Sequence, residues 1–436
     1  MSDPEILNRT LSVCPTCLQV VEAILVSKDN AVYLTKECHE HGASELRVWP
    51  DVEHYRWMNS FKFPLAPPNS LTVLDQGCPR DCGPCVSHLR KPTLVEIEVT
   101  RRCNLRCPVC FMSAAKEELE SPVSAFEQIF RQIREQAGVT PGIQLTGGEP
   151  TVRRDLPEIV RLGREAGFEG IEANTNGIVI SRDLEYLARL QEAGLTGIYL
   201  QFDGLTSPLY SQIRGADLLA TKLQAIENCR RVGLQVVLAM TVIDGTNLDQ
   251  VGDVLRFALK NVDIVAGLAL QPAFTSGRFE VGQPRRLSMG DIIFTLAEQC
   301  PDLIGPYDFY PLGCAHPLCD CGTYLVRKTG GFVPITREIS PEQYRAEFDS
   351  NSPQGSVFRD ILAQQSGADV EGLSLVIMNY MDAGTMDLER LRECSMVVAV
   401  PDGRMLPFCS YHLTGCNGQR IHSVQGAALA SAGAVR

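Results

Sequence analysis

Long hydrophobic runs are missing from this chain: no stretch of 18 apolar residues occurs in its 436, so no helix crossing a bilayer is expected. Basic charge is in deficit, with 40 Lys and Arg against 52 Asp and Glu and a net charge of −12. That balance excludes nucleic acid and anionic membrane as default partners. The opening MSDPEILNRTLSVCP has neither a basic n-region nor an apolar h-region, so no secretion signal is expected and the cytoplasm is the expected compartment. Hydrolytic chemistry has no visible carrier either. Neither paired carboxylates nor a Cys/His nucleophile arrangement stands out, so no side-chain acid or base is assigned. The remaining composition, 44% hydrophobic and 21% charged, describes a globular protein of two or three domains with sizeable cores.

What the chain has in excess is cysteine, 17 in all. In a reducing compartment this reads as metal binding rather than disulfides. The densest feature is Cys103-Asn-Leu-Arg-Cys107-Pro-Val-Cys110. It follows a run, Leu94 to Val99, in which Leu94, Glu96 and Glu98 alternate with Val95, Ile97 and Val99 as in a strand. Three thiols spaced C-x3-C-x2-C on one loop can close on three corners of a 4Fe–4S cube. Such clusters normally take four thiolates, and no further cysteine follows within a hundred residues. One iron is then open to a ligand other than protein. A zinc loop, or an ordinary cluster with a distant fourth ligand, is the alternative. Cys229 and Cys300 stand apart near the ends of helical patterns and read as small buried hydrophobes.

The other cysteines fall into three groups. Cys14-Pro-Thr-Cys17 is a knuckle, followed by a hairpin (Ala23–Val26 and Ala31–Thr35 around Asp29-Asn30) and then Cys38-His-Glu-His41-Gly42. C-x2-C plus a later cysteine is the pattern of a zinc ribbon or a rubredoxin-like iron site; His39, His41 or a distant cysteine could complete it. Cys78, Cys82 and Cys85 repeat the C-x3-C-x2-C spacing and read as an auxiliary iron–sulfur cluster with a remote fourth ligand. Cys314, Cys319, Cys321, Cys394, Cys409 and Cys416 lie near the C-terminus, with His316 among them. The C-x-C pair Cys319/Cys321 suits two different metals better than one. Setting aside the central three cysteines and the two lone ones leaves 12 of the 17, enough for one four-thiolate mononuclear site and two auxiliary 4Fe–4S clusters. The expected domains are a metal-binding lobe over 1–90, a central domain over 91–310, and a cluster domain over 311–436 with a disordered Ala/Gly/Ser-rich tail from 427 and a polar insertion over 336–372.

Between Leu94 and Cys300 apolar runs at 143–146, 169–173, 197–202, 235–242 and 263–270 alternate with helical periodicity at 122–137, 155–167, 182–193, 216–232, 247–260 and 288–299. Ser121-Pro122 reads as an N-cap with proline at N1. Strands separated by helices imply βαβ units and a parallel sheet, here six units forming a partial (β/α)6 barrel whose ligands lie at the C-terminal strand ends. Those ends carry Thr146-Gly147-Gly148-Glu149-Pro150, Asn174-Thr175-Asn176-Gly177 and Gln201-Phe-Asp203-Gly204, then Thr241 and Gln271. Taken singly each is an ordinary turn. In order behind a C-x3-C-x2-C loop, they form a pattern.

The cysteine loop, followed by these strand ends, resembles the radical S-adenosylmethionine (SAM) superfamily. The resemblance implies that the open iron of a 4Fe–4S cluster takes the amino and carboxylate groups of SAM, and that Gly147, Gly148 and Glu149 meet its ammonium group. Asn176, Gln201 and Asp203 would serve ribose and carboxylate. The residue before the third cysteine, often aromatic in the superfamily, is Val109 here, with Phe111 as the candidate adenine contact. The order CPTC…CHEHG, GCPRDCGPCVSH, CNLRCPVCF, TGGEP, CAHPLC and PFCSYH is similar to a narrower group, the class D radical SAM methyltransferases, with the archaeal tetraether lipid synthase and the methanopterin-type pterin methylases. That similarity implies reductive cleavage of SAM to a 5′-deoxyadenosyl radical, a flavodoxin or ferredoxin as electron donor, and functionalisation of an unactivated carbon. Methylation of a pterin is the leading expectation and coupling of lipid chains the second. An iron–sulfur or zinc protein without catalysis is the alternative of another class.

Overall fold

The computed structural model describes residues 4–69, 74–81, 83–114, 120–282, 284–347, 371–401 and 403–422. Four antiparallel strands come first: β1 (Glu5–Val13), β2 (Val20–Lys28), β3 (Ala31–Cys38) and β4 (Gly42–Trp49), paired in chain order. The hairpin expected around Asp29-Asn30 is the β2–β3 turn, where both residues take positive φ (50° and 60°), as a tight hairpin loop requires. Helix α1 (Val52–Asn59) follows, capped by the Asp51 side chain, which accepts from the His54 backbone N–H.

The central sheet is built on six parallel strands: β5 (Leu94–Thr100), β7 (Gly142–Gly147), β8 (Ile171–Thr175), β9 (Gly197–Gln201), β10 (Gln235–Val242) and β11 (Val265–Pro272), adjacent in that order. Helices α2 (Ser124–Ala137), α3 (Leu156–Glu165), α5 (Leu184–Glu192), α7 (Leu219–Val232), α8 (Val251–Lys260) and α9 (Met289–Gln299) follow the six strands in turn. Shorter helices, α4 (Ile178–Arg182) and α6 (Ser207–Arg214), lie at strand ends. On α2, Phe126, Ile129, Phe130, Ile133 and Ala137 form one buried stripe, at the i, i+3, i+4 spacing of an amphipathic helix. Each of its Phe and Ile side chains, removed from water, contributes about 1.5–3 kcal/mol. Gly163 lets α3 approach: a Cβ there would lie 2.7 Å from Ile171 on β8 and 3.0 Å from the Phe130 ring. The expected cap at Ser121-Pro122 lies too early. The helix begins at Ser124, with Val123 as N-cap and no side-chain cap bond.

The C-terminal segment departs from the expected boundary at 310. Strand β16 (Gly372–Met378) pairs parallel with β11, and β17 (Met396–Ala399) pairs parallel with β5. These strands extend the sheet at both edges, so residues beyond 310 complete the central domain instead of forming a lobe beside it. Antiparallel β13 (Tyr310–Pro311), β14 (Asp320–Lys328), β15 (Gly331–Pro334) and β18 (Met405–Pro407) finish the edges. A two-residue pair, β6 (Val109–Cys110) with β12 (Arg278–Phe279), ties down the cysteine loop. Most of the expected insertion at 336–372, and the tail from 427, lie outside the described residues.

Candidate active site

Strand alternation puts Val95, Ile97 and Val99 of β5 in the main core, leaving Glu96 and Glu98 on the opposite, inner face. The same alternation turns Gln144 and Thr146, Asn174, Tyr199, Gln201, Thr241 and Gln271 into one cavity with about 1240 Å³ of atom-free space, open to solvent. Cys103, Cys107 and Cys110 line its wall together with Phe111, Gly147, Gly148, Glu149 and Asn176. The apolar part of the lining comes largely from the C-terminal segment: Met378, Tyr380, Met396 and Phe408, with Phe274. Phe111 packs edge-on against Phe408 and stacks on Phe274, with ring centroids 5.6 and 5.9 Å apart.

The cysteine loop is held from several directions. Gly148 N–H donates to Thr100 O at 2.8 Å, and Glu149 N–H donates to Arg102 O at 2.9 Å. Asn176 Nδ2 donates to Asn104 Oδ1 at 2.7 Å, and Arg278 donates to Cys107 O at 3.0 Å. Arg214 reaches Val109 O at 2.9 Å and grips both oxygens of Asp203 at 2.6 and 2.7 Å. Asp203 is therefore not available to ribose. It is fully buried, its carboxylate is taken by Arg214 and the Thr241 N–H, and it does not line the cavity. Its work is to aim Arg214 at the loop. Glu149 is similarly engaged: Oε1 accepts from Thr151 and Thr175, and Oε2 accepts from Asn176 N–H at 2.7 Å. Lys222, wholly buried on α7, donates to Asn176 O at 2.6 Å and Gln201 Oε1 at 3.2 Å, joining two strand ends. Burial pulls its ammonium down to about 8.

The donor set on this loop fits a three-thiolate iron–sulfur cube. Three sulfurs share one cavity wall, and among the described residues no fourth cysteine lines that cavity. Burial pushes the Cys103 thiol up to about 12 and raises that of Cys107. A bound cation reverses such a shift by favouring thiolate.

The N-terminal knuckle is completed by a histidine. Cys14, Cys17, Cys38 and His41 bring their ligand atoms within 4.8 Å of one another. Cys17 and Cys38 sulfurs are 3.8 Å apart, and His41 Nδ1 lies 3.5 Å from the Cys38 sulfur and 3.7 Å from that of Cys14. Tetrahedral zinc, with bonds of about 2.3 Å to sulfur and about 2.0–2.1 Å to nitrogen, sets those edges at roughly 3.8 and 3.6 Å. Of the completions the sequence left open, His39, His41 or a distant cysteine, the structure brings His41 to the three sulfurs.

The remaining thiols separate. Cys319, Cys394 and Cys409 line one smaller cavity that shares Met378, Tyr380, Met396 and Phe408 with the central one. Arg390 Nη2 lies 3.5 Å from the Cys319 sulfur. Cys321 is fully buried in the main hydrophobic core, and Cys314 lies in a separate apolar cluster with Tyr310 and Tyr344. Neither lines the three-thiol cavity. Cys416 is exposed and does not line that cavity, its N–H donating to Pro15 O of the knuckle at 2.8 Å. Cys78 and Cys85 line a small cleft with His88; Cys82 lies outside the described residues. Cys229 and Cys300 are fully buried, as small hydrophobes should be.

Several cavity residues had no motif to announce them: Arg214 and the floor residues Glu96, Gln144 and Tyr199. Lys222 behind the strand ends was equally silent. Alternation in β5 was the one available signal, since it put two glutamates on a face that a barrel turns inward.

A parallel sheet with three thiols on the loop after its first strand, facing glycine-rich and amide-rich strand ends, defines a class. The chain belongs to the radical SAM superfamily, which residues 97–258 match, and it is a radical SAM enzyme that uses a 4Fe–4S cluster and SAM. Residues 6–50 match the HMPTM N-terminal zinc ribbon domain. Along nearly its whole length the chain is similar to 7,8-dihydro-6-hydroxymethylpterin dimethyltransferase of Methanocaldococcus jannaschii, 33% identical over 93% of both chains. A probable GTP 3′,8-cyclase of Sulfolobus acidocaldarius is 28% identical over 47% of this chain and 64% of its own. Among solved structures, Streptococcus suis SuiB bound to S-adenosylmethionine matches 49% of this chain and 48% of its own, with 20% identity and a TM-score of 0.41. Among the described residues no helix is long and apolar enough to cross a membrane.

Proposed function

We propose that this enzyme methylates a pterin or a closely related small heterocycle. The observation that carries the reading is the form of the cavity, which ends on a polar floor of Glu96, Gln144, Asn174 and Tyr199 beneath an apolar wall of Met378, Tyr380, Met396 and Phe408. A flat heterocycle with a polar edge suits that pairing of surfaces. A lipid chain calls for a long apolar channel, and the acid and amides of the floor would lose water without gaining partners. The full-length similarity to a pterin dimethyltransferase points the same way.

Cys103, Cys107 and Cys110 hold the SAM cluster, which when bound with SAM supplies a 5′-deoxyadenosyl radical able to take hydrogen from an unactivated carbon. The backbone of Gly147 and Gly148 and the remaining lone pair of Glu149 Oε2 receive the methionine ammonium. Asn176 and Gln201 orient the ribose, Thr241 and Gln271 border the nucleoside, and Phe111 flanks the adenine. Positioning and exclusion of water are the protein's share of the chemistry. Cys14, Cys17, Cys38 and His41 hold zinc. Cys319, Cys394 and Cys409 hold an auxiliary 4Fe–4S cluster beside the substrate, and Cys78 and Cys85, with Cys82, hold a second. A flavodoxin or ferredoxin delivers electrons, and the cytoplasm is the compartment.

Anaerobic reconstitution with dithionite and SAM, with 6-hydroxymethyl-7,8-dihydropterin or an archaeal-type diether lipid added, tests the substrate class. Pterin-stimulated formation of 5′-deoxyadenosine is expected. Stimulation by the lipid alone would replace this reading with lipid coupling.

A further inference from the structure

One acid on the cavity floor has no part in the chemistry above. Glu96 is only 4% exposed and lines the cavity. Among the described residues nothing donates to it or pairs with it: burial and the like charge of Glu98 are the influences upon it, and they push its carboxyl up to about 8. Buried acids elsewhere in the chain have partners. Asp203 holds Arg214, Asp291 holds Arg47 and Arg285, and Asp382 holds Arg286. On the same inner face, Glu172 accepts from Gln144 at 3.1 Å. Glu98, next along β5, lies 3.8 Å from Arg101.

A second acceptor is orphaned on the same floor. Asn174 Oδ1 is enclosed without a hydrogen-bond partner, while its Nδ2 donates to Gln144 Oε1 at 3.2 Å. Gln144 is the residue of β7 in register with Glu96 on β5. The two orphan acceptors thus lie on β5 and β8, with the engaged amide of Gln144 on the strand β7 between them. Buried acceptors without donors are costly, and in the lining of a ligand cavity they call for a ligand that brings the donors.

We propose that Glu96, with Asn174 as a second acceptor, recognises the amino-pyrimidinone edge of the substrate and sets specificity for it. The proposal rests on the pterin reading and deepens it. A 2-amino-4-oxopyrimidine ring carries two adjacent N–H groups, on the 2-amino nitrogen and on N3. Two donors brought by the ligand favour the ionised form of the acid, so on binding, with loss of its proton to solvent, they can meet both oxygens of the carboxylate in the fork-to-fork manner of a guanidinium. The rest of the flat ring then lies against Met378, Tyr380 and Phe408, where sulfur and aromatic faces give contact without demanding a direction. A pyrimidine-dione edge, with oxygen in place of the amino group, would set acceptor against acceptor.

The test is binding rather than turnover: fluorescence titration of the full, metal-loaded chain with 6-hydroxymethylpterin and with 6-hydroxymethyllumazine, its 2-oxo counterpart. Wild type should prefer the pterin by a factor on the order of 10 to 100, the consequence of one misplaced buried hydrogen bond. Glu96→Gln, whose amide can donate to the 2-oxo group, should lose that preference or reverse it. Glu96→Asp should keep the preference at weaker affinity. Zinc and iron content and circular dichroism report whether each variant folds, and the wild-type comparison decides even if Glu96→Gln does not. If wild type binds pterin but does not discriminate against lumazine, or if Glu96→Gln discriminates as wild type does, Glu96 is not the specificity residue and the pterin reading stands. If wild type binds neither compound, the pterin reading fails and the assignment of Glu96 fails with it.

Discussion

Arg214 shows how much of this site depends on residues that touch no cofactor. Its guanidinium joins Asp203 at the end of β9 to Val109 O in the cysteine loop, fixing the distance between these two segments. Asp203 is fully buried, so Arg214→Ala would leave an uncompensated charge in the interior. Such changes cost about 3–5 kcal/mol, and the melting temperature of the reconstituted enzyme should fall accordingly. A variant with unchanged melting would show that Asp203 has another partner. This pair also shows a limit of sequence reading. QFDG was visible as a strand end, but an aspartate there serves ribose or arginine depending on a residue eleven positions on, in a helix whose placement no local pattern gives. Likewise CHEHG offered two histidines, and only the turn after β3 brings His41, not His39, to the three sulfurs.

At the scale of elements, the six parallel strands and the helices between them were legible because each repeats a strong pattern over its whole length: two-residue alternation or continuous apolar runs in strands, a 3.6-residue stripe in helices. The edges of the sheet were not. Strand β17 was legible as a strand, yet its partner β5 lies about 300 residues earlier, and parallel pairing at that separation leaves no trace in local periodicity. The polar floor was half legible. An alternating strand usually turns its charged face to water, and here that face turns to the cavity. Gly147 marks the tightest point of the design. Its φ is +132°, and a Cβ would lie 1.9 Å from Thr100 O, so the TGGE turn can close over the cysteine loop only with glycine. In Gly147→Ala the strain, on the order of 1–3 kcal/mol, should displace the turn and weaken equilibrium binding of SAM roughly tenfold or more. Unaltered SAM affinity would mean that this backbone does not meet SAM.

Over the whole molecule, the thiols sort into groups of different chemistry. The three-cysteine, one-histidine knuckle sits in its own antiparallel sheet. The cavity of Cys319, Cys394 and Cys409 abuts the central one across Tyr380 and Phe408, so a cluster there would lie next to bound substrate. Metal analysis should therefore give about one zinc per chain and iron well above the four atoms of one cube. His41→Ala should lower zinc while leaving iron in place, and Cys409→Ala should lower iron while leaving zinc. Four irons and no zinc in the wild type would remove all three accessory assignments.

Everything proposed about the substrate depends on three thiols presenting SAM with an iron that no residue of the chain occupies. The most direct measurement is the yield of 5′-deoxyadenosine from the anaerobically reconstituted enzyme with dithionite and SAM, compared with Cys107→Ala prepared in parallel. Wild type should produce it and the variant should fall to background; equal yields from the two would contradict the cluster and the radical chemistry together.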